Sequence, residues 1–156
     1  MVCEARQAPI NIVCVGNALH GDDGLGEVVF DTLSQQALPD GVQLIRMPFM
    51  GPDALSCFEG CQRVLVVDAL QGFGAPGTVH RLSPEQVAEE TSPLSHGVGL
   101  GTWLAQLPEW LDDVPQIEVI GVEAASMTPF SPGLSDAVSA AVEQLCATVK
   151  DRADHE

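Results

Sequence analysis

Arg63-Val64-Leu65-Val66-Val67-Asp68 (RVLVVD) is an unbroken apolar run, rich in β-branched residues, that closes on a carboxylate. A run without polar alternation belongs to a strand buried on both faces, the position of a central strand in a parallel sheet. Upstream, Ile10–Val15 contains a second such run, NIVCV, bounded by Gly16. Between the two, Leu25, Val28, Val29, Leu33 and Ala37 recur at helical spacing, and Pro39-Asp40-Gly41 supplies a stop. Val42–Met47 reads as a further strand, and Gly51–Phe58 as a short helix with Asp53 in its first turn. Downstream, Gly72–Gly77 is a loop, Thr78–Leu82 a fourth strand, and Ser83-Pro84-Glu85 opens a helical turn. Residues 89–95 look irregular. Gly97–Leu107 places Leu100, Trp103, Leu104 and Leu107 on one helical face, and Gln116–Val122 is the fifth strand. Pro132–Lys150 is the closing helix, and the tail beyond Lys150 is expected to fray. Strands alternating with helices predict one domain over residues 1–156. The fold class is α/β, a three-layer α/β/α arrangement with a twisted, mostly parallel five-stranded sheet. A flavodoxin-like order, 2-1-3-4-5, makes the first and third strands neighbours at the point where ligands bind.

Twenty-two acidic residues stand against six basic ones in 156 residues, a net charge of −16. That balance is unsuited to nucleic acid or to an anionic membrane, and neither is expected as a partner. No stretch of about 18 apolar residues occurs. The opening MVCEARQAPINIVCVG lacks a charged-then-apolar leader pattern, so a cytoplasmic location is expected. The five cysteines, an odd number, argue against a disulfide framework. Cys57 and Cys61 lack the second pair that a zinc site needs and read as thiols.

The segment between the first strand and the first helix, VCVGNALHGDDGLG (Val13–Gly26), carries the chemistry. It has neither the Lys-Ser/Thr pair of a Walker loop nor GxGxxG directly after the strand. Asp22 and Asp23 would repel a pyrophosphate and attract a cation. One of the pair is expected to be structural, since Asp suits a helix start. Asp68, ending RVLVVD, is costly in a buried strand unless it is partnered or faces a crevice. His96, in SPLSHGVGL, stands among glycines rather than on an apolar stripe. Two aspartates and a histidine form a mixed oxygen and nitrogen donor set suited to zinc or nickel. Three ligands leave positions open for a metal already held elsewhere. His20, His80, Glu123 and the acidic tail carry weaker signals. GxSxG and HExxH are absent, and Cys14 lies inside a strand, a core position rather than a nucleophile's.

Together these motifs resemble the hydrogenase maturation endopeptidases, from about Ile10 to Val149. VGNALHGDDGLG matches that family's strand–Gly-Asn–acidic loop. VLVVDAL matches its strand ending in Asp, SHGVGL its His-x-x-Gly-Leu region, and IEVIGVE its last strand. The resemblance implies that Asp23, Asp68 and His96 are the nickel ligands. It implies a substrate that is a nickel–iron hydrogenase large-subunit precursor with nickel in place, from which a C-terminal extension is removed. The nickel belongs to that precursor, so no permanently bound cofactor is expected, although other divalent metals can occupy such a site. No Ser, Thr or Cys stands out as nucleophile, and attack by water is the expectation. One departure is visible: family members often carry Asp followed by glycines after the second strand, where this chain has LIRMPFMGPD with Arg46. The alternative readings are a nickel-binding assembly factor that does not cut, and a small-molecule-binding module.

Overall fold

The computed structural model describes residues 9–88 and 99–154. His96 and the stretch expected to be irregular, residues 89–95, lie outside the described residues. The RVLVVD run forms the core of β3 (Arg63–Leu70), which is central, paired in parallel with β1 (Ile10–Val15) on one side and β5 (Gln116–Glu123) on the other. Val66 stands opposite Val13 and Val119 in the two registers. β2 (Val42–Met47) pairs in parallel with β1 at one edge. β4 (Val79–Leu82) closes the other edge, antiparallel to β5.

The sheet order is therefore β2-β1-β3-β5-β4, mostly parallel as expected, but with the last two strands exchanged relative to 2-1-3-4-5. The connection explains the exchange. Residues 71–78 join β3 to β4 without a helix, and a parallel neighbour needs a longer crossover. That crossover follows β4 instead, through α2 (Pro84–Ala88), α3 (Leu100–Ala105) and α4 (Leu107–Trp110), and brings β5 beside β3. The single helix expected over Gly97–Leu107 is two, because Pro108 starts a new turn rather than continuing the old one.

Strand alternation divides the apolar residues between two layers. Ile12, Cys14, Leu65, Val67 and Ile120 face α1 (Leu25–Ser34) and α5 (Asp136–Asp154). Val13, Val15, Val64, Val66 and Val119 face Phe58, Trp103, Leu104 and Leu107. The short helix expected over Gly51–Phe58 is a 3-10 helix, Pro52–Cys57, flanked by those two residues. α5 begins at Asp136 rather than Pro132 because Ser135 caps it, its hydroxyl accepting from the Val138 amide at 3.3 Å. It also runs past Lys150 to Asp154, where fraying was expected. Ala153 is buried, and the Arg152 guanidinium donates to Glu118 at 2.8 Å. Among the described residues no helix is long and apolar enough to cross a membrane.

Glu118 also accepts from Arg81 at 3.2 Å. Burial alone would raise its carboxyl, but the hydrogen bonds from Arg152 and Arg81 outweigh that and hold it below its ordinary 4.5. The folded state thus releases this proton more readily than the unfolded chain. The stabilisation is present above pH 4.5 and is lost as pH falls through the lower folded value. Glu118→Gln should lower Tm by about 3 °C near neutral pH, corresponding to about 1 kcal/mol. The gap should close as pH falls below 4.5 and through the lower folded value. Thermal melts of both proteins across pH check this, and a gap that does not change with pH contradicts it.

Candidate active site

The chain leaves β1 through Gly16, whose φ of +143° is a glycine conformation and whose amide donates to the Met47 carbonyl at 3.1 Å. A Cβ at Gly16 would overlap the carbonyl oxygen of Asp23, and one at Gly26 would overlap that of Val15. The glycines of this segment thus serve close packing of an acidic turn and a helix start onto a strand end. The 3-10 turn Gly21–Gly24 carries both aspartates and leads directly into α1.

The aspartates have different surroundings. Asp22 is fully buried. Its Oδ2 accepts from the amides of Ala125 at 2.8 Å and Ser126 at 3.0 Å, and from the Ser135 hydroxyl at 2.9 Å. Its Oδ1 accepts from the Ser135 amide at 2.6 Å. Burial alone would raise this carboxyl; the hydrogen bonds outweigh burial and keep it below the usual range. The Asp22 amide donates to the Ser126 carbonyl at 2.8 Å, and that of Gly21 to the Ser131 carbonyl at 2.9 Å. Asp22 is the structural member of the pair, tying the loop after β5 to the turn after β1.

Asp23 is half-buried, and its Oδ2 accepts from the Asn17 amide at 3.1 Å. Asn17 orders the same loop through its side chain, whose Oδ1 accepts from the Leu19 amide at 2.9 Å. Asp68 is also half-buried, and its Oδ1 accepts from the Ala69 amide at 2.8 Å. β3 continues to Leu70, so Asp68 lies near the strand's carboxyl end rather than terminating it. By alternation it shares the face of Val64, Val66 and Leu70, which is the face covered by α3. The acidic turn and β3 are in contact, so the structure brings Asp23 and Asp68 to the carboxyl edge of adjacent strands.

The other candidates have structural employment. Glu123 is buried, and its two oxygens accept from the amides of Gly72 and Phe73, each at 2.8 Å, bracketing the loop after β3. His80 lies 2.9 Å from the Thr78 hydroxyl, and the His20 ring rests 5.8 Å from that of Phe130. Among the described residues no three His, Cys, Asp or Glu side chains are grouped to hold a metal, His96 being outside them. Cys14, Cys57, Cys61 and Cys146 are thiols. Burial pushes the Cys14 thiol up to about 12, with Cys146 adding to the effect, which removes it as a nucleophile. A cavity of about 780 Å³ beside Arg63, Leu104, Glu118 and Arg152 lies towards the opposite edge of the sheet. Ser126 and Ser135 carry no signal in the sequence, whereas Asn17, following glycine at a strand end, carries a turn signal and belongs to the Gly-Asn motif.

The sequence pattern of the HycI family, described as hydrogenase maturation protease, matches residues 28–152. The chain belongs to the hydrogenase maturation protease family. It is 26% identical over 140 residues to the hydrogenase 3 maturation protease of Escherichia coli K12, covering 86% of each chain. Among solved structures it is similar to the hydrogenase maturating endopeptidase HybD of E. coli, with 28% identity and a TM-score of 0.75. That match covers 90% of this chain and 88% of the other. The hydrogenase 2 maturation peptidase of a Thaumarchaeota archaeon gives 28% identity and a TM-score of 0.68, covering 94% and 99%. As a hydrogenase maturation endopeptidase the protein is a hydrolase. In this maturation protease the departure at Arg46 has an internal explanation. Its guanidinium pairs with Glu27 of α1 at 3.3 Å and lies 5.5 Å over the Phe30 ring. By alternation with Leu44 it points to the α1 layer, away from the face that carries Asp68.

Proposed function

We propose that this endopeptidase removes the C-terminal extension of a nickel–iron hydrogenase large-subunit precursor once nickel has been inserted, recognising that nickel through Asp23, Asp68 and His96. The observation that carries the reading is the division of labour in the acidic turn. Asp22 is occupied by four internal hydrogen bonds, while Asp23 stands with Asp68 at the carboxyl edge of the sheet, where open α/β folds bind ligands. Two carboxylates and an imidazole are suitable donors for nickel. His96 stands just before α3 in the chain, and α3 covers the Asp68 face.

With only three protein ligands, the site gains affinity from a metal that the precursor itself carries. Nickel-free precursor lacks that bond, so the state of maturation is read as a difference in binding. The nickel orients the precursor and polarises the scissile carbonyl or a water. Water adds its oxygen to the carbonyl carbon, the C–N bond breaks, and the proton goes to the leaving amine. The burial of Cys14 and the raised position of its thiol support water over that cysteine.

The test is mass spectrometry of nickel-loaded and nickel-free precursor after incubation with the protein. A C-terminal peptide should be released from the loaded form at least ~100-fold faster, as expected when a metal both positions and polarises the reacting group. Equal rates on the two forms overturn nickel recognition.

A further inference from the structure

Three of the large apolar side chains stand out for exposure: Phe130 at 83%, Phe49 at 71% and Leu19 at 53%. All three are on loops that leave the carboxyl edge of the sheet, after β5, β2 and β1. Two of them are built into one rim. His20 and Ser131 form a parallel bridge, so Leu19 and Phe130 stand one position earlier on the two paired segments. The His20 ring packs against Phe130, and the His20 carbonyl accepts from the Asp23 amide at 3.1 Å. The rim is therefore continuous with the turn that carries Asp23.

Phe130 adopts a φ of +59°, alone among the described non-glycine residues in having a positive φ. Glycine would be at ease there, and a phenyl ring left 83% exposed gains little from burial. The loop is nevertheless fixed. The Asp22 carboxylate holds its two ends at Ala125, Ser126 and Ser135, and the Gly21 amide holds Ser131. A rigid, exposed aromatic beside a reaction site has the features of a binding anchor.

We infer that Leu19 and Phe130, with His20 between them, form an apolar docking rim that seats a bulky apolar side chain of the precursor polypeptide close to the bond that is cut. The occupant is the substrate chain, because a peptidase must hold polypeptide beside its reacting groups and this rim shares a loop with one of them. The inference rests on the reading that the precursor docks at the carboxyl edge. It adds a metal-independent contribution to the affinity that nickel recognition supplies.

The test measures binding of nickel-free and nickel-loaded large-subunit precursors from the same organism to wild type, Phe130→Gly, Leu19→Ala and Asp23→Asn. Phe130→Gly should weaken both forms of precursor by the same factor, about 10-fold, as for an interface anchor. It should also raise the melting temperature, since glycine suits the backbone. A residue with a merely structural role would not show that opposition. Leu19→Ala should weaken both forms in the same sense, whereas Asp23→Asn should remove only the nickel-dependent increment. Unchanged affinity of nickel-free precursor for the Phe130→Gly protein overturns the rim, whatever Asp23→Asn does. Equal binding of the two precursor forms by wild type overturns nickel recognition and leaves the rim standing if Phe130→Gly still weakens both. No binding by wild type overturns both. If wild type alone self-associates and Phe130→Gly abolishes this, the rim is an interface between copies, and the inference fails.

Discussion

Asp22→Asn will destabilise the fold nearly as much as Asp22→Ala, by about 3 kcal/mol or more. Asparagine matches aspartate in shape, so a steric account predicts a mild effect. The hydrogen-bond account predicts a severe one. All four partners of Asp22, the amides of Ala125, Ser126 and Ser135 and the Ser135 hydroxyl, donate. An amide offers one accepting oxygen and sets an NH2 group against at least one buried donor. The unpaired N–H keeps its desolvation cost, about 1–3 kcal/mol, and the lost charge weakens the bonds that remain. For a chain of this length the effect corresponds to a fall in Tm of roughly 6–12 °C. Because Ser135 also caps α5, the loss should spread to the start of that helix in hydrogen exchange. A fall below about 3 °C for Asp22→Asn would show that these bonds contribute little.

Asp22 also marks where reading the sequence stops. RVLVVD, NIVCV and the alternation around them specify central strands because burial on both faces leaves a local composition signal. The cation-attracting character of GDDG is equally local. Which aspartate is structural is not local, since the partners of Asp22 lie 103 to 113 positions away in the chain. The exchange of β4 and β5 escaped for a related reason. Val79–Leu82 reads as a strand, but its direction is fixed by the short helix-free connection from β3, and its pairing by β5, which comes later. Phe130 gave no signal at all. Nothing in TPFSPG marks Phe130 as the residue with a positive φ, and the bonds that hold its loop come from the acidic turn after β1, more than a hundred positions away. Local burial and turn chemistry are legible, whereas a carboxylate's role depends on who donates to it.

Asp23→Asn should do the opposite of Asp22→Asn, leaving stability nearly intact and removing activity. Asparagine at this half-buried position retains an oxygen that can accept from the Asn17 amide, so the Asn17–Asp23 loop keeps its framework. The expected change in stability is within about 1 kcal/mol. The lost negative charge is what a substrate-borne nickel would engage. A fall of at least ~100-fold in kcat/KM on nickel-loaded precursor is expected, the scale of removing a charged group aimed at a reacting centre. Asp68→Asn should bring a comparable loss. If both carboxylates engage one nickel, as proposed, the double variant should be little worse than either single one, because two ligands of one metal act as a unit. Residual cleavage of nickel-free precursor should be the same in all three, since that precursor brings no ion for either carboxylate to engage. An Asp23→Asn protein that cleaves loaded precursor within a few-fold of wild type removes Asp23 from nickel recognition. If it fails only in proportion to a lowered Tm, Asp23 belongs with Asp22 as a structural residue.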